Sequence, residues 1–320
     1  MAQRTDSPSA TTDGMNSSYR SGFTRITLRI NRLTNVVVYS SFFMAIVAAV
    51  EVGIATVLLG VPLTPAPLVV GLLAFAVYTV DSVADADTDV RSAPARANFA
   101  RRYADQLMIA AAVAYGCAVA IAVFGGPVAF GLTLLPGAFW VLYASEWLPS
   151  AGRLLDRFDV SVPRLKEVLL VNSLLVAVGW ATTLTLLPVA FADSSITPTV
   201  GVVFGYFLLR SFVDVEVPNV RDVDADAAIG VATLPVVFGV TTTRRVLYAV
   251  DLGTVALVVA AASVGLLAWP LVAVLVGGVG VSLGVTALAG RTANRELLGV
   301  APDCCYLAVG IALGIVVWLG

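Results

Sequence analysis

Two sets of carboxylates stand out in a chain that is otherwise poor in charge. The first is Asp81, Asp85 and Asp89, spaced four apart at the end of the apolar stretch 67–80. The second is Asn219, Asp222 and Asp226, just beyond the apolar stretch 200–213. Asp85 to Asp222 is 137 residues, and Asp89 to Asp226 is 137 again. Side chains four apart on a helix share one face, one turn from each other. Ionisable groups at the ends of membrane segments are costly and mark functional sites. Brought together, such carboxylates would repel one another, and a divalent cation resolves the conflict. Hard oxygen donors suit Mg²⁺ or Mn²⁺, and Mg²⁺ characteristically completes its shell with water and substrate phosphates. Two Asp sets with arginines nearby therefore suit a diphosphate held through metal bridges, the metals neutralising charge if the diphosphate is a leaving group. Arg96, Arg221 and Lys166 are placed to add direct phosphate contacts.

The elements that must carry these residues follow from composition. Of 320 residues, 59% are hydrophobic and 12% charged, with a mean hydropathy of +0.93. No chain so apolar can cover itself with a solvated surface, so an all-α integral membrane protein is expected. Nine apolar runs approach the length needed to cross a hydrocarbon core of about 30 Å. They fall near 36–59, 65–83, 107–124, 127–145, 168–190, 197–216, 246–266, 269–289 and 304–319. Gly125-Gly126-Pro127 makes the third and fourth a tight hairpin, and the seventh and eighth meet around Trp269-Pro270.

All 19 Lys and Arg fall before the first run or in every second connection, counting Arg210, late in the sixth run, with the cations that follow it. The positive-inside rule then puts the N-terminus and both carboxylate sets on the cytoplasmic side and the C-terminus outside. Residues 1–34 read as a cytoplasmic tail, disordered to about Ser21, with an amphipathic surface helix at 22–34. Residues 35–320 form the membrane domain.

Other residues narrow the chemistry. The chain has no His, which excludes imidazole ligands and imidazole acid–base catalysis. Cys117, Cys304 and Cys305 lack metal-ligand spacing and read as packing residues. Asp105, Asp193 and Asp303 read as solvated or capping, and Asp87 and Asp224 as solvated extras. Asp214 and Glu216, late in the sixth run, are intermediate: one could orient a ligand or act as a base. Asp outnumbers Glu 16 to 5 and one Lys stands against 18 Arg, a composition found in salt-adapted proteins. In each set of four spans, one to four and five to eight, the second ends in a carboxylate set, which suggests two parallel repeats around a central cavity.

The run Asp81-Ser-Val-Ala-Asp85-Ala-Asp-Thr-Asp89 resembles the N-D-x-x-D-x-x-x-D signature of the UbiA superfamily of intramembrane prenyltransferases. Asn219-Val-Arg-Asp222-Val-Asp-Ala-Asp226, followed by Gly230-Val-Ala-Thr233-Leu-Pro235, resembles that family's second motif, D-x-x-D-x-x-G-D with G-x-x-T-L-P. The resemblance implies nine helices around a central cavity, Mg²⁺-dependent binding of a prenyl diphosphate, and transfer of the prenyl chain to an acceptor. Asp85, Asp89, Asp222 and Asp226 would fall on the metal ligands. Arg96 would match an arginine after the first motif, and Lys166 and Asn172 a Lys…Asn pair entering the fifth span. The chain departs from the pattern at Asp81, Ser82, Asn219 and Ala225. Asp81 remains a candidate ligand, and Asn219 can ligate through its carbonyl.

On this reading the diphosphate leaves an allylic carbon whose cation character must be shielded from water and faced by π clouds. Tyr78, Phe139, Tyr143, Trp180, Phe204 and Tyr206 lie at suitable depth, although each alone also reads as packing or interface anchoring. With no His, the base that deprotonates the acceptor defaults to an Asp. The expected partners are a prenyl diphosphate, a membrane-soluble acceptor and the bilayer, not nucleic acid. An ether-lipid glyceryl phosphate, a quinone ring and a carotenoid all suit as acceptors. A cation or proton transporter built on the same carboxylates, and a non-catalytic relative, are the competing readings.

Overall fold

In lipid, backbone N–H and C=O groups have no partners except one another, so long apolar runs fold as helices. The computed structural model describes residues 41–87, 90, 94–144, 171–292 and 295–319. The tail at 1–34, Asp89 and Lys166 lie outside these residues, and of Asn172 only the backbone is described.

Among the described residues there are eleven helices and no strands. They are α1 (Phe42–Leu59), α2 (Ala66–Ala84), α3 (Pro94–Arg102), α4 (Ala104–Ala122), α5 (Gly126–Ala144) and α6 (Val171–Phe191). The remainder are α7 (Pro198–Ile229), α8 (Leu234–Phe238), α9 (Val240–Ser263), α10 (Trp269–Leu288) and α11 (Arg295–Leu319). All but α3 and α8 have at least 18 residues. Among the described residues, seven stretches are long and apolar enough to cross a membrane, so the chain is a multi-pass membrane protein. One of them, Ala104–Ala138, is bent into the α4–α5 hairpin by a 3₁₀ turn at Val123–Gly125. Gly126 there has φ +83°, which disfavours any side chain.

The long helices form a closed ring in chain order. Each packs on the next, and α11 returns to α1. Helix α1 also touches α6 and α7 across the ring, and α11 touches α7. Without a hydrophobic drive between helices in lipid, such seams depend on close van der Waals fit and small residues. Gly310 shows this at the closing seam, since a Cβ there would collide with the Val50 side chain of α1. Inside the ring, Val52, Leu73, Leu184, Phe207, Leu275 and Leu313 belong to one core cluster. Ile109, Val113, Ile311 and Ile315 face outward, as a lipid-contacting belt requires.

Two features of α7 differ from the sequence expectation. The apolar run was expected to stop at 216, yet α7, 32 residues long, runs on through Asn219, Asp222 and Asp226 to Ile229. Arg210, late in the sixth run as expected but counted with the cytoplasmic cations, does not reach that side. Its side chain is 2% exposed, inside the bundle.

Candidate functional site

Of the first carboxylate set, Asp81 and Asp85 form the end of α2. Asp81 lies in its last turn and Asp85 caps it, the Asp85 N–H donating to the Asp81 carbonyl at 2.9 Å. The second set occupies the last turns of α7, which ends when Gly230 takes a left-handed φ of +76°. A short helix follows each set, α3 and α8, before the next long helix begins. Asp81, Asp85 and Asp226 thus sit in or just past the last turn of a helix, where the last unpaired carbonyls already carry about half a negative charge. Carboxylates there are unfavourable alone and favourable beside a cation.

The segment Gly230-Val-Ala-Thr233-Leu-Pro235 has a readable job. Gly230 ends α7 and turns the chain back, and Pro235 starts α8 where a missing N–H costs nothing. The turn returns Thr233 to α7, where its hydroxyl donates to Asp226 Oδ2 at 3.4 Å. Asp226 lies beyond the apolar part of α7. Burial, and then the charge of Asp222, push its carboxyl up to about 6. A divalent cation between the two would remove that repulsion, so this pair fits a metal by chemistry as well as by type.

Arg221 closes on its own neighbour. Its guanidinium forks onto Asp222, Nε donating to Oδ1 at 2.9 Å and Nη2 donating to Oδ2. The head of Arg221 lies over Gly299 of α11, where a Cβ would collide with Nη1. Arg96, on α3, donates from Nε to the Ser82 hydroxyl at 3.1 Å. That bond gives Ser82, one of the departures from the motif, a role in holding Arg96 beside the first set. Asp87 is exposed and paired with Arg101 at 2.6 Å, in keeping with a solvated position.

The structure brings Asp222, Asp226 and Arg221 together, and Asp81 and Asp85 together. Among the described residues, helices α2 and α7 share at most a slight contact, and no three carboxylates or thiols form a metal cage. One to two turns deeper, both helices carry further polar residues. Tyr78, one turn before Asp81, lies within electrostatic range of Asp214, which is two turns before Asp222. Tyr78 also stacks on Trp180, with centroids 5.8 Å apart and planes at 9°. A cleft of about 370 Å³ lined by Leu59, Gly60, Ser194 and Thr197 opens at the opposite helix ends, away from both sets.

Several interior residues were not foreseen as a group. Arg210 of α7 donates from Nη1 to Asp251 of α9 at 2.6 Å and to the Ser282 hydroxyl of α10. Ser282 in turn donates to Asp251. Arg210 Nη2 lies 3.3 Å from Asp214, and Tyr306 of α11 donates to the other Asp214 oxygen. Glu51 of α1 and Asp303 of α11 are both within electrostatic range of Asp214. Asp303, expected as a solvated or capping residue, is half-buried and lies within electrostatic range of Asp214 and Arg96. The signal available in sequence was a lone ion within each of several apolar runs, since such ions must find partners there.

The UbiA prenyltransferase family model matches residues 36–297. No curated protein matches the chain. Among solved structures, an apo UbiA homologue from Aeropyrum pernix K1 is 20% identical with a TM-score of 0.60, covering 86% of this chain and 98% of that one. A digeranylgeranylglyceryl phosphate synthase is 13% identical with a TM-score of 0.54, covering 87% and 98%. A UbiA homologue from Archaeoglobus fulgidus bound to DMAPP and Mg²⁺ is 12% identical with a TM-score of 0.53, covering 86% and 96%. At these identities the solved structures establish a shared fold, while the family model spans most of the chain. The protein belongs to the UbiA prenyltransferase family and is a membrane-embedded prenyl-transferring enzyme.

Proposed function

We propose that the chain moves an isoprenoid chain from a prenyl diphosphate to a membrane-soluble acceptor, a lipid, quinone ring or carotenoid, in an Mg²⁺-dependent reaction (Mn²⁺ substituting). The observation that carries this reading is that Asp81 and Asp85 end α2 while Asp222 and Asp226 lie in the last turns of α7, beside a polar interior and within an apolar ring. Residues 35–320 would be the catalytic membrane domain, with nine spans. The N-terminus and the active site would lie on the cytoplasmic side, to which the positive-inside rule assigns the connections that carry Arg91, Arg101, Arg102, Arg244 and Arg245 in the sequence.

Asp81, Asp85 and Asp89 from one side, and Asn219, Asp222 and Asp226 from the other, would hold the metal. Bound metal would supply charge neutralisation to the departing diphosphate. Arg96, Arg221, Lys166 and Asn172 would orient the diphosphate, Arg221 by exchanging one of its two bonds to Asp222 for a phosphate oxygen. The Tyr78–Trp180 stack presents aromatic faces to the interior, suited to shield a carbon that gains positive character. The apolar ring would hold the tail, so donor and acceptor meet without entering water.

The reading is tested with purified protein in nanodiscs and labelled geranylgeranyl diphosphate, with an acceptor panel, in the presence and absence of Mg²⁺. Metal-dependent transfer to one acceptor class supports it. Metal-independent donor binding would refute the assigned ligand roles.

A further inference from the structure

The interior network on α7 has a charge balance that suggests a task. Arg210 has two carboxylate partners, Asp251 at 2.6 Å and Asp214 at 3.3 Å. Asp251 is 0% exposed and saturated by Arg210 and Ser282. Asp214 is the outlying member, with a side chain 15% exposed. The Arg210–Asp251–Asp214 group therefore holds one negative charge in excess. A proton taken by Asp214 brings the group to neutrality without leaving the guanidinium unmatched, because the closer partner stays ionised. In a low-dielectric interior an unmatched buried charge is what costs most.

Position agrees with charge. Asp214 lies eight residues before Asp222 on the same helix, about 12 Å deeper at 1.5 Å per residue. The elements around it present Glu51 from α1, Tyr78 from α2, Asp251 from α9, and Asp303, Cys305 and Tyr306 from α11. Tyr206 and Arg210 lie on α7 itself. No His exists to serve instead. Pro218 adds a local reason for the depth of this group. It removes the helix hydrogen bond that the Asp214 carbonyl would otherwise accept, and so loosens α7 between the network and the metal motif.

We propose that Asp214 is the base that takes the acceptor's proton, with Arg210 and Tyr306 as its positioning residues. The proposal rests on the prenyl-transfer reading above. For a hydroxyl acceptor, an oxygen lone pair forms the new bond to the prenyl C1. The C1–O bond to diphosphate breaks with its electron pair leaving on the diphosphate, and the acceptor's O–H proton passes to the Asp214 carboxylate.

The test uses the full chain in nanodiscs with Mg²⁺, labelled geranylgeranyl diphosphate as donor, and a long-chain phenol and a glycerol ether lipid as acceptors. Asp214→Asn should bind donor within about twofold of wild type and lose transfer by roughly 10²–10⁴-fold, the range for removing a general base. Its residual rate should rise with pH without the levelling-off that ends the wild-type acid limb, because hydroxide replaces the lost base. Tyr306→Phe removes a donor that favours the ionised carboxylate, so its acid limb should move to higher pH with unchanged donor affinity. A purely structural network would move neither limb. Transfer by Asp214→Asn within threefold of wild type, or an unshifted limb in Tyr306→Phe, overturns the proposal. So does a wild type that binds donor yet transfers to neither acceptor. Absence of Mg²⁺-dependent donor binding in wild type refutes the broader reading instead, which separates the two failures.

Discussion

Asp251→Asn is the sharpest probe of what the interior ions contribute to stability. The change keeps shape and removes one charge, leaving Arg210, 2% exposed, with its nearer partner neutralised. Opposite charges about 4 Å apart interact by about 4 kcal/mol at an effective dielectric of 20. Breaking a buried pair by removing one partner costs roughly 3–5 kcal/mol. Arg210 keeps Asp214 at 3.3 Å and the Tyr306 ring at 5.7 Å, which offsets part of that loss. The expected cost is therefore at the low end, about 3 kcal/mol. By contrast, hydrogen bonds between membrane helices average about 0.6 kcal/mol in double-mutant cycles. The two accounts of the network, ionic clamp or ordinary hydrogen bond, thus differ several-fold. The assay is equilibrium unfolding in mixed detergent micelles, on Asp251→Asn, Arg210→Met, Asp251→Leu and the Arg210→Met/Asp251→Leu pair. The apolar pair should recover most of the stability, because matched charges exchanged for packed side chains are near neutral. A cost below about 1 kcal/mol for Asp251→Asn, where hydrogen-bond strength alone would place it, refutes the reasoning. A double variant as unstable as the sum of its singles would refute it too.

Further outcomes follow from the site. Asp85→Asn and Asp222→Asn should each reduce metal-dependent transfer by more than about 100-fold while leaving the unfolding transition in place, as expected for lost metal neutralisation; labelled-donor turnover beside an unfolding curve checks both. Gly299→Val should drive the Arg221 guanidinium off Asp222, because even a Cβ at 299 collides with Nη1; donor affinity, measured by filter binding with Mg²⁺, should weaken while the Arg210 network is untouched. Gly230→Ala forces a side chain into a left-handed φ of +76°, at about 1 kcal/mol, and loosens the Thr233–Asp226 contact; unfolding and metal affinity should both fall, and an unchanged metal titration would count against the turn's role. Chelation should stop transfer, and Mg²⁺ or Mn²⁺, not Na⁺, should restore it.

Sequence alone determined the helices, because uninterrupted apolar runs in lipid have one way to satisfy their backbone. The expected hairpin at Gly125-Gly126-Pro127 matches the break between α4 and α5, and the expected start at Trp269 is the start of α10. The two carboxylate sets were legible for a related reason, since charge is so rare in this chain that its spacing carries information. The extension of α7 through Asp226 was not legible, because polar residues after an apolar run read as a loop unless something packs beside them. Here the helix is held by α6, α9 and α11. The interior network was hidden more deeply. Arg210 meets Asp251 across 41 residues and Ser282 across 72, and Tyr306 meets Asp214 across 92. No periodicity encodes such separations. Only closing the ring of helices decides which lone ions become partners, since in a medium without water each must find its counter-charge in whichever helix the packing brings alongside.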